Sequence, residues 1–423
     1  MGARSSKSSQ PIPVSSAPSS SSLPRSNGKA SSVSLSSSWT DLQPDLAELL
    51  LLRLTTHADR VHFAAVCRHW RFVVNEYSLI PPLPWVSYRG GSFECLTFKD
   101  GDVCSERHFI SFREEAVCHG SFGNWQLFQE RAVSSGCWHS RQCYLRNPLS
   151  GAMVRLPSHC DKPVNLNDDG SHGKPSIWQR STKFDISKVM VCSDDLIAAI
   201  VLYRQDHVAI REVVICCRPG MSSWSRGLFN RDHYYVDMAF YKEKLYALTH
   251  KGHLFVHEVA TSGGSAKAKP RVHQIQQVIL SAPSSFGGVF TSSFSDMSSY
   301  LVISHTGKLW MVRWVLPYGK NKKVVVKVFE ADLEASQWLE VTRLDDQALF
   351  LSGNCSTAIS TSGHDNDYPK GNMIYFLDYR LIRSCLPNTN YHACVYNMRS
   401  KKFDPISVGQ NRSYGWDAAW FFP

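Results

Sequence analysis

The chain contains no apolar run near the ~20 residues that a membrane-crossing helix requires. Its longest, Leu196 to Tyr203, has the length of a buried strand. It has no Cys-x-x-Cys pair, and its 13 cysteines are an odd number. No secretory signal is read ahead of them. The thiols are therefore expected to stay reduced and to pack as small hydrophobes, in a protein of nucleus and cytoplasm. Three catalytic signatures are missing: the Gly-x-x-x-x-Gly-Lys phosphate loop, the Gly-x-Ser-x-Gly elbow and the His-Glu-x-x-His zinc pair. No catalytic residue, metal ligand or cofactor is expected.

What is present suits a folded chain. With 423 residues and an apolar fraction of 43%, one large domain and a small one can each find a core. Aromatics at 12% lean toward β structure, where flat rings pack on a pleated surface. The net charge of +10 is scattered, so no nucleic-acid partner is expected. Lys320, Lys322, Lys323 and Lys327 read as a charged turn entering a strand. His364-Asp365-Asn366-Asp367 reads as a solvated loop, because the ligand run of a calcium loop does not continue. Asn354-Cys355-Ser356 and Asn411-Arg412-Ser413 match the glycosylation sequon and are expected to stay unmodified without a secretory route.

Composition divides the chain into residues 1–38, 39–80 and 82–423. The first segment is serine-rich, carries Pro11, Pro13, Pro18 and Pro24, and has no acidic residue. Such a segment cannot bury enough apolar surface to offset ordering entropy, so it is expected to be a disordered tail. Three readings compete there. A Ser-rich, acid-poor start resembles a transit peptide. Arg4, Lys7, Arg25 and Lys29 are too dispersed for a strong nuclear signal. Met1 to Ser6 fits the N-myristoylation pattern, with Gly2 as the lipidation candidate. No cysteine precedes Cys67 to carry a second lipid, and one myristoyl chain anchors only marginally. No stable membrane association is expected, only a minor membrane fraction if Gly2 is modified.

Residues 39–80 read as short helices. Asp41 is the expected cap, Pro44 suits a first turn, and Asp45 suits the positive end of the dipole. Leu46, Leu49, Leu50 and Leu54 fall on one face. Thr55 to Ala58 break the pattern, and Asp59 restarts it as a second expected cap. Val61, Phe63, Ala64, Val66, Cys67, Trp70 and Val74 follow. Trp70 reads as a core residue and Cys67 as a buried small hydrophobe. A motif this small has more leucine surface than it can cover, so Leu42, Pro44, Leu46 and Leu49 are the expected partner contacts.

From residue 82 onward the texture is β. Short apolar runs recur, among them Phe93 to Phe98, Lys244 to Leu248, Tyr300 to Ser304, Ala348 to Ser352 and Met373 to Leu377. Turn signals separate them: Thr249 to Gly252, His305 to Gly307, Asn147 to Gly151 and Asn397 to Lys401. No long amphipathic helix intervenes, which argues against a parallel α/β sheet. Radial repetition hides the edges of so many antiparallel strands. At 40–50 residues a blade, the roughly 340 residues available make six or seven blades. Leu245 to Val256 echoes Tyr300 to Met311, which suggests a degenerate repeat.

The segment from Leu42-Gln43-Pro44-Asp45-Leu46 to Val66-Cys67-Arg68-His69-Trp70-Arg71 closely resembles the F-box. Gln43 stands where that family usually has the first proline of its Leu-Pro start. The remainder resembles a large plant F-box family with a KIB-type β-propeller. The match rests on Leu145 to Gly151, Ser187 to Val191, Phe240 to Leu248, Trp338 to Val341 with Leu344 to Ser356, and Gly371 to Asp378. The resemblance implies a mainly β fold: a small α-helical F-box followed by a six- or seven-bladed β-propeller-like domain. It also implies a non-catalytic subunit of a Skp-cullin-F-box ubiquitin ligase. Its partners would be a Skp-type adaptor, through it a cullin, and a target protein. A propeller hydrolase or lectin, and an F-box scaffold working outside the ligase, are the alternatives.

Overall fold

Short strands separated by turn residues leave faces and edges to cover. In the computed structural model of the chain, six sheets of four or five strands stand around a common axis as a six-bladed β-propeller. The structure describes residues 39, 42–54, 57–76, 83–88, 92–99, 102–104, 110–111, 116–130, 142–160, 164–165, 183–205, 208–225, 227–229, 234–260, 270–280, 294–317, 323–362, 368–387, 392–408 and 418–423. The tail over 1–38 with its Gly2, Asp41, Lys320, Lys322, the loop His364 to Asp367 and the sequon at Asn411 lie outside them.

Each blade sets one strand at the axis. These are Ala419–Phe421, Ala116–Phe122, Lys183–Ser193, Tyr235–Tyr241, Phe294–Ile303 and Ser356–Ser360, for blades one to six in turn. Successive inner strands neighbour one another, and Gln347–Ser352 of blade six closes the ring against Ala419–Phe421. Blade one joins two distant segments: Trp85–Ser87 pairs with Ala419–Phe421, Trp85 opposite Phe421. Ser92–Cys95 and Ile110–Ser111 complete it. This closure resolves the expected six or seven blades to six.

Blades four and five are simple meanders. Blade four runs Tyr235–Tyr241, Lys244–Thr249, Leu254–Ala260 and Arg271–Ile279. Blade five runs Phe294–Ile303, Leu309–Pro317, Val325–Asp332 and Gln337–Val341. The echo read from the sequence is out of phase with this repeat. Leu245 to Val256 spans the second and third strands of its blade, whereas Tyr300 to Met311 spans the first and second. Any hairpin around a Gly-bearing turn gives that pattern, so the echo reports hairpins and not blades.

The turns are where the sequence places them. The Asn147 side chain accepts from the N–H groups of Leu149 (2.9 Å) and Ser150 (3.0 Å). Asn397 repeats this with Arg399 (2.9 Å) and Ser400 (3.1 Å). Such Asx turns let a short polar side chain replace a strand partner. The run Phe93 to Phe98 divides at Leu96 into Ser92–Cys95 and Thr97–Lys99. Blade six departs most from expectation. Its strands Gln347–Ser352 and Met373–Leu377 pair in parallel, and a short helix, Tyr379–Cys385, follows. Asp378 caps that helix, accepting from Arg380 N–H (2.9 Å) and Leu381 N–H (3.3 Å).

The core lies between blades. In Leu196–Gln205, Ala198 and Ile200 pack against Met238, Leu245 and Phe255 of blade four. Ile197, Ala199 and Val201 face the cluster shared with blades one, two and six. Both faces are covered, so this strand is a continuous apolar run and not an alternating one. Buried indole N–H groups tie segments together: Trp224 to the Pro157 carbonyl (2.7 Å), Trp338 to Gly252 (2.8 Å) and Trp420 to Leu351 (3.0 Å).

Candidate functional site

Three helices precede the propeller: α1 Pro44–Leu52, α2 His57–Val66 and α3 Arg68–Glu76. Pro44 occupies the first turn of α1, where its missing N–H has no intrahelical partner to lose. The cap position is Gln43, which makes no side-chain capping bond. Asp59 lies in the first turn of α2 and not at its cap, because that helix begins at His57. It still favours the helix through the dipole.

Ala47 and Leu51, one turn apart on α1, are buried with Phe63, Trp70 and Val73 in a small core. Phe63 and Trp70 stack with ring centroids 4.3 Å apart. Trp70 is thus a core residue. Cys67 precedes α3, half-buried, and its sulfur accepts the Trp70 N–H at 3.4 Å. It serves as a helix cap as well as a packed hydrophobe.

The rest of α1 points outward. Leu46 is 48% and Leu49 is 58% exposed, and Leu50, Leu52 and Pro44 are exposed as well. Leu46, Leu49 and Leu50 are three and four residues apart, so they form one continuous apolar face. Leu42 is half-buried against the helical core, so it is divided between inside and outside. Leu54 lies beyond the end of α1 and packs inward. Val61, Val66 and Phe72 add exposed apolar surface on the other helices. None of the three is among the contacts that the sequence leads one to expect. Phe72 is out of step with the buried Trp70 and Val73, and that offset was the available signal.

The helices lie against the propeller. The Arg60 side chain is buried, its Nε donates to the Leu54 carbonyl at 2.7 Å, and Tyr368 of blade six lies beside it. Burial lowers the Arg60 guanidinium, and the Tyr368 hydroxyl opposes that shift.

Within the propeller, charged side chains bridge blades. Lys188 of blade three pairs with Asp237 of blade four, and both are buried. Asp237 also accepts the Met238 N–H (2.7 Å) and the Leu301 N–H of blade five (2.8 Å). Burial pushes its carboxyl up, while Lys188 and those N–H groups pull it down. Arg313 of blade five is fully buried and donates to Ser299 Oγ (2.7 Å) and to the His250 carbonyl of blade four (3.1 Å). Lys327, from the lysine cluster, pairs with Glu340 at 3.0 Å on the neighbouring strand. Burial also pushes the thiols of Cys95 and Cys355 up to about 11 and those of Cys192 and Cys217 up to about 12. Held neutral, they are poor nucleophiles. Among the described residues, no three His, Cys, Asp or Glu side chains are grouped to hold a metal ion. No described helix is long and apolar enough to cross a membrane.

Comparison with known proteins adds to this geometry. A family model described as KIB1-4 beta-propeller matches residues 96–397. An Arabidopsis thaliana protein bearing an F-box name is 23% identical over 350 residues, covering 81% of this chain and 86% of its own. A second one is 23% identical over 378 residues, covering 82% and 85%. The Arabidopsis thaliana F-box protein KIB4 is 29% identical over 110 residues, 24% of this chain and 26% of its own. Among solved structures, the N-terminal domain of Nup159 aligns over 74% of this chain and 72% of its own, with a TM-score of 0.26 and 8% identity. That likeness is too loose to carry an argument.

Proposed function

The chain belongs to the KIB1-4 beta-propeller family, and from that premise we propose that it is the target-recognition subunit of a Skp-cullin-F-box ubiquitin ligase. Its three helices dock on a Skp-type adaptor and, through it, on a cullin. The propeller holds a target protein. The chain itself makes and breaks no bond; it raises the effective concentration of target lysines near the ubiquitin-loaded enzyme. The protein works in nucleus and cytoplasm, with a minor membrane fraction when Gly2 carries a lipid.

One observation carries this reading. A nine-residue helix spends two residues on its own core and leaves Leu46, Leu49, Leu50 and Leu52 to solvent. An amphipathic helix in an apolar groove is a recurring mode of protein recognition. Covering each such side chain stabilises a complex by up to ~1.5–3 kcal/mol. The F-box names of the relatives support the same reading.

The test is copurification of the full chain with a Skp-type adaptor and a cullin. Recovery of both supports the ligase reading. A folded chain that recovers the adaptor alone favours a scaffold outside the ligase, and one that recovers neither removes the proposal.

A further inference from the structure

One end of the propeller axis opens into a cavity of about 430 Å³, within the size range of small-molecule sites. Met190, Met238, Phe240, Leu301 and Ile303, from the inner strands of blades three to five, give it apolar walls. Burial increases inward. Ile303 is exposed and Phe240 is partly so, whereas Met238 and Leu301 are buried.

The polar side chains in this wall are Lys188, Asn124, Asn354, Ser356 and Thr357, and Lys188 and Ser356 carry hydrogen-bonding groups open to a ligand. The Lys188 ammonium has three N–H donors, and among the described residues Asp237 is its hydrogen-bond partner. The Ser356 hydroxyl of blade six, also in the wall, is buried with no partner among the described residues. A buried hydroxyl left unpaired costs stability that a ligand atom would restore. The charge is already balanced. Asp237 lies beside Lys188, its oxygens taken by that ammonium and by the N–H groups of Met238 and Leu301. A ligand carboxylate would meet that negative charge in an apolar setting, whereas a neutral oxygen would not.

We propose that this cavity binds a neutral, apolar small molecule bearing a carbonyl or hydroxyl oxygen. Its body lies against Met238, Leu301 and Phe240, and its oxygen accepts hydrogen bonds from Ser356 and the spare N–H of Lys188. Bound there, it touches the inner strands of four blades and couples their positions around the axis.

The test uses the full chain and a neutral ketone probe, 6-propionyl-2-dimethylaminonaphthalene, whose emission reports polarity and hydrogen bonding at its carbonyl. Saturable one-to-one binding with blue-shifted emission is expected. Ile303→Trp, at the rim, should lower affinity at least tenfold. Ser356→Ala, a smaller change that keeps the fold, should weaken binding severalfold and alter the emission. Anionic 1-anilinonaphthalene-8-sulfonate should bind more weakly than the ketone. Absence of saturable ketone binding by the folded wild-type chain overturns the proposal. So does unchanged binding in Ser356→Ala, or tighter binding of the sulfonate.

Discussion

The indole N–H of Trp420 donates to the Leu351 carbonyl across 3.0 Å, joining the innermost strand of blade one to blade six. Its ring also meets Phe350 edge-on, with centroids 5.1 Å apart, and it is fully buried. This pair closes the ring. Trp420→Ala should destabilise the propeller by about 3–5 kcal/mol through lost burial and a residual cavity. Trp420→Phe keeps most of the ring and should cost about 1 kcal/mol beyond the packing change. Urea unfolding followed by circular dichroism measures both. An unchanged midpoint in Trp420→Ala would show that the closure contributes nothing.

The closure was not legible in the sequence, and the reason is physical. Trp85 and Phe421 stand opposite each other but lie at distant points of the chain, and local periodicity carries no information on such pairings. What local physics determines was legible. The Asn147 and Asn397 turns, the buried run from Leu196 and the core role of Trp70 each follow from a side chain acting on its own neighbourhood. The parallel pair in blade six is not legible in the sequence, because strand direction depends on the partner. The short helix after Asp378 is hard to see because seven residues give too little periodicity, although its aspartate cap is a readable signal. In the helical site, the leucine surplus was readable. Which leucines turn inward was not, because Ala47 and Leu51 are selected by Phe63 and Trp70 on other helices.

Gly252 offers a cleaner energetic test. Its φ of 86° lies in the left-handed region, and a Cβ there would come within 3.0 Å of the buried Arg313 guanidinium. Gly220 has a similar φ of 80° with nothing within 4 Å. Gly220→Ala should therefore cost only backbone strain, about 1–2 kcal/mol. Gly252→Ala should cost clearly more, because it also displaces Arg313 from Ser299 and His250. Equal losses in parallel denaturation curves would contradict the contact.

The buried thiols set an alkaline limit. A thiol held above its ordinary 9.0 is neutral in the folded chain while it ionises in the unfolded one. Its contribution to stability is therefore fully present below pH 9.0. It is lost as pH rises, up to about 11 for Cys355 and about 12 for Cys217. Each thiol contributes a slope of roughly 1.4 kcal/mol per pH unit in that window. Urea midpoints at pH 8, 9.5 and 10.5 should fall progressively, and less steeply in Cys217→Ala. An identical slope in that variant would remove Cys217 from the account.

The two sides of α1 should separate binding from folding. Leu51 is fully buried with Trp70 and Val73, so Leu51→Ala should unfold the helical unit, a loss of about 2–5 kcal/mol in so small a core. Leu46 and Leu49 are exposed, so replacing both with Ala should leave helicity and melting nearly unchanged. If they are the adaptor contacts, the same double variant should weaken Skp-type adaptor binding by several kcal/mol, since hot-spot side chains carry most of an interface's energy. Leu42 and Pro44 give an intermediate case. Leu42 is half-buried, so its replacement should lower both stability and affinity, whereas Pro44→Ala should act on affinity alone. Calorimetric titration of adaptor into each folded variant, beside its melting curve, resolves these combinations. Full affinity in a folded Leu46→Ala, Leu49→Ala chain would place the adaptor elsewhere, and the exposed Val61, Val66 and Phe72 would be the next surface to test.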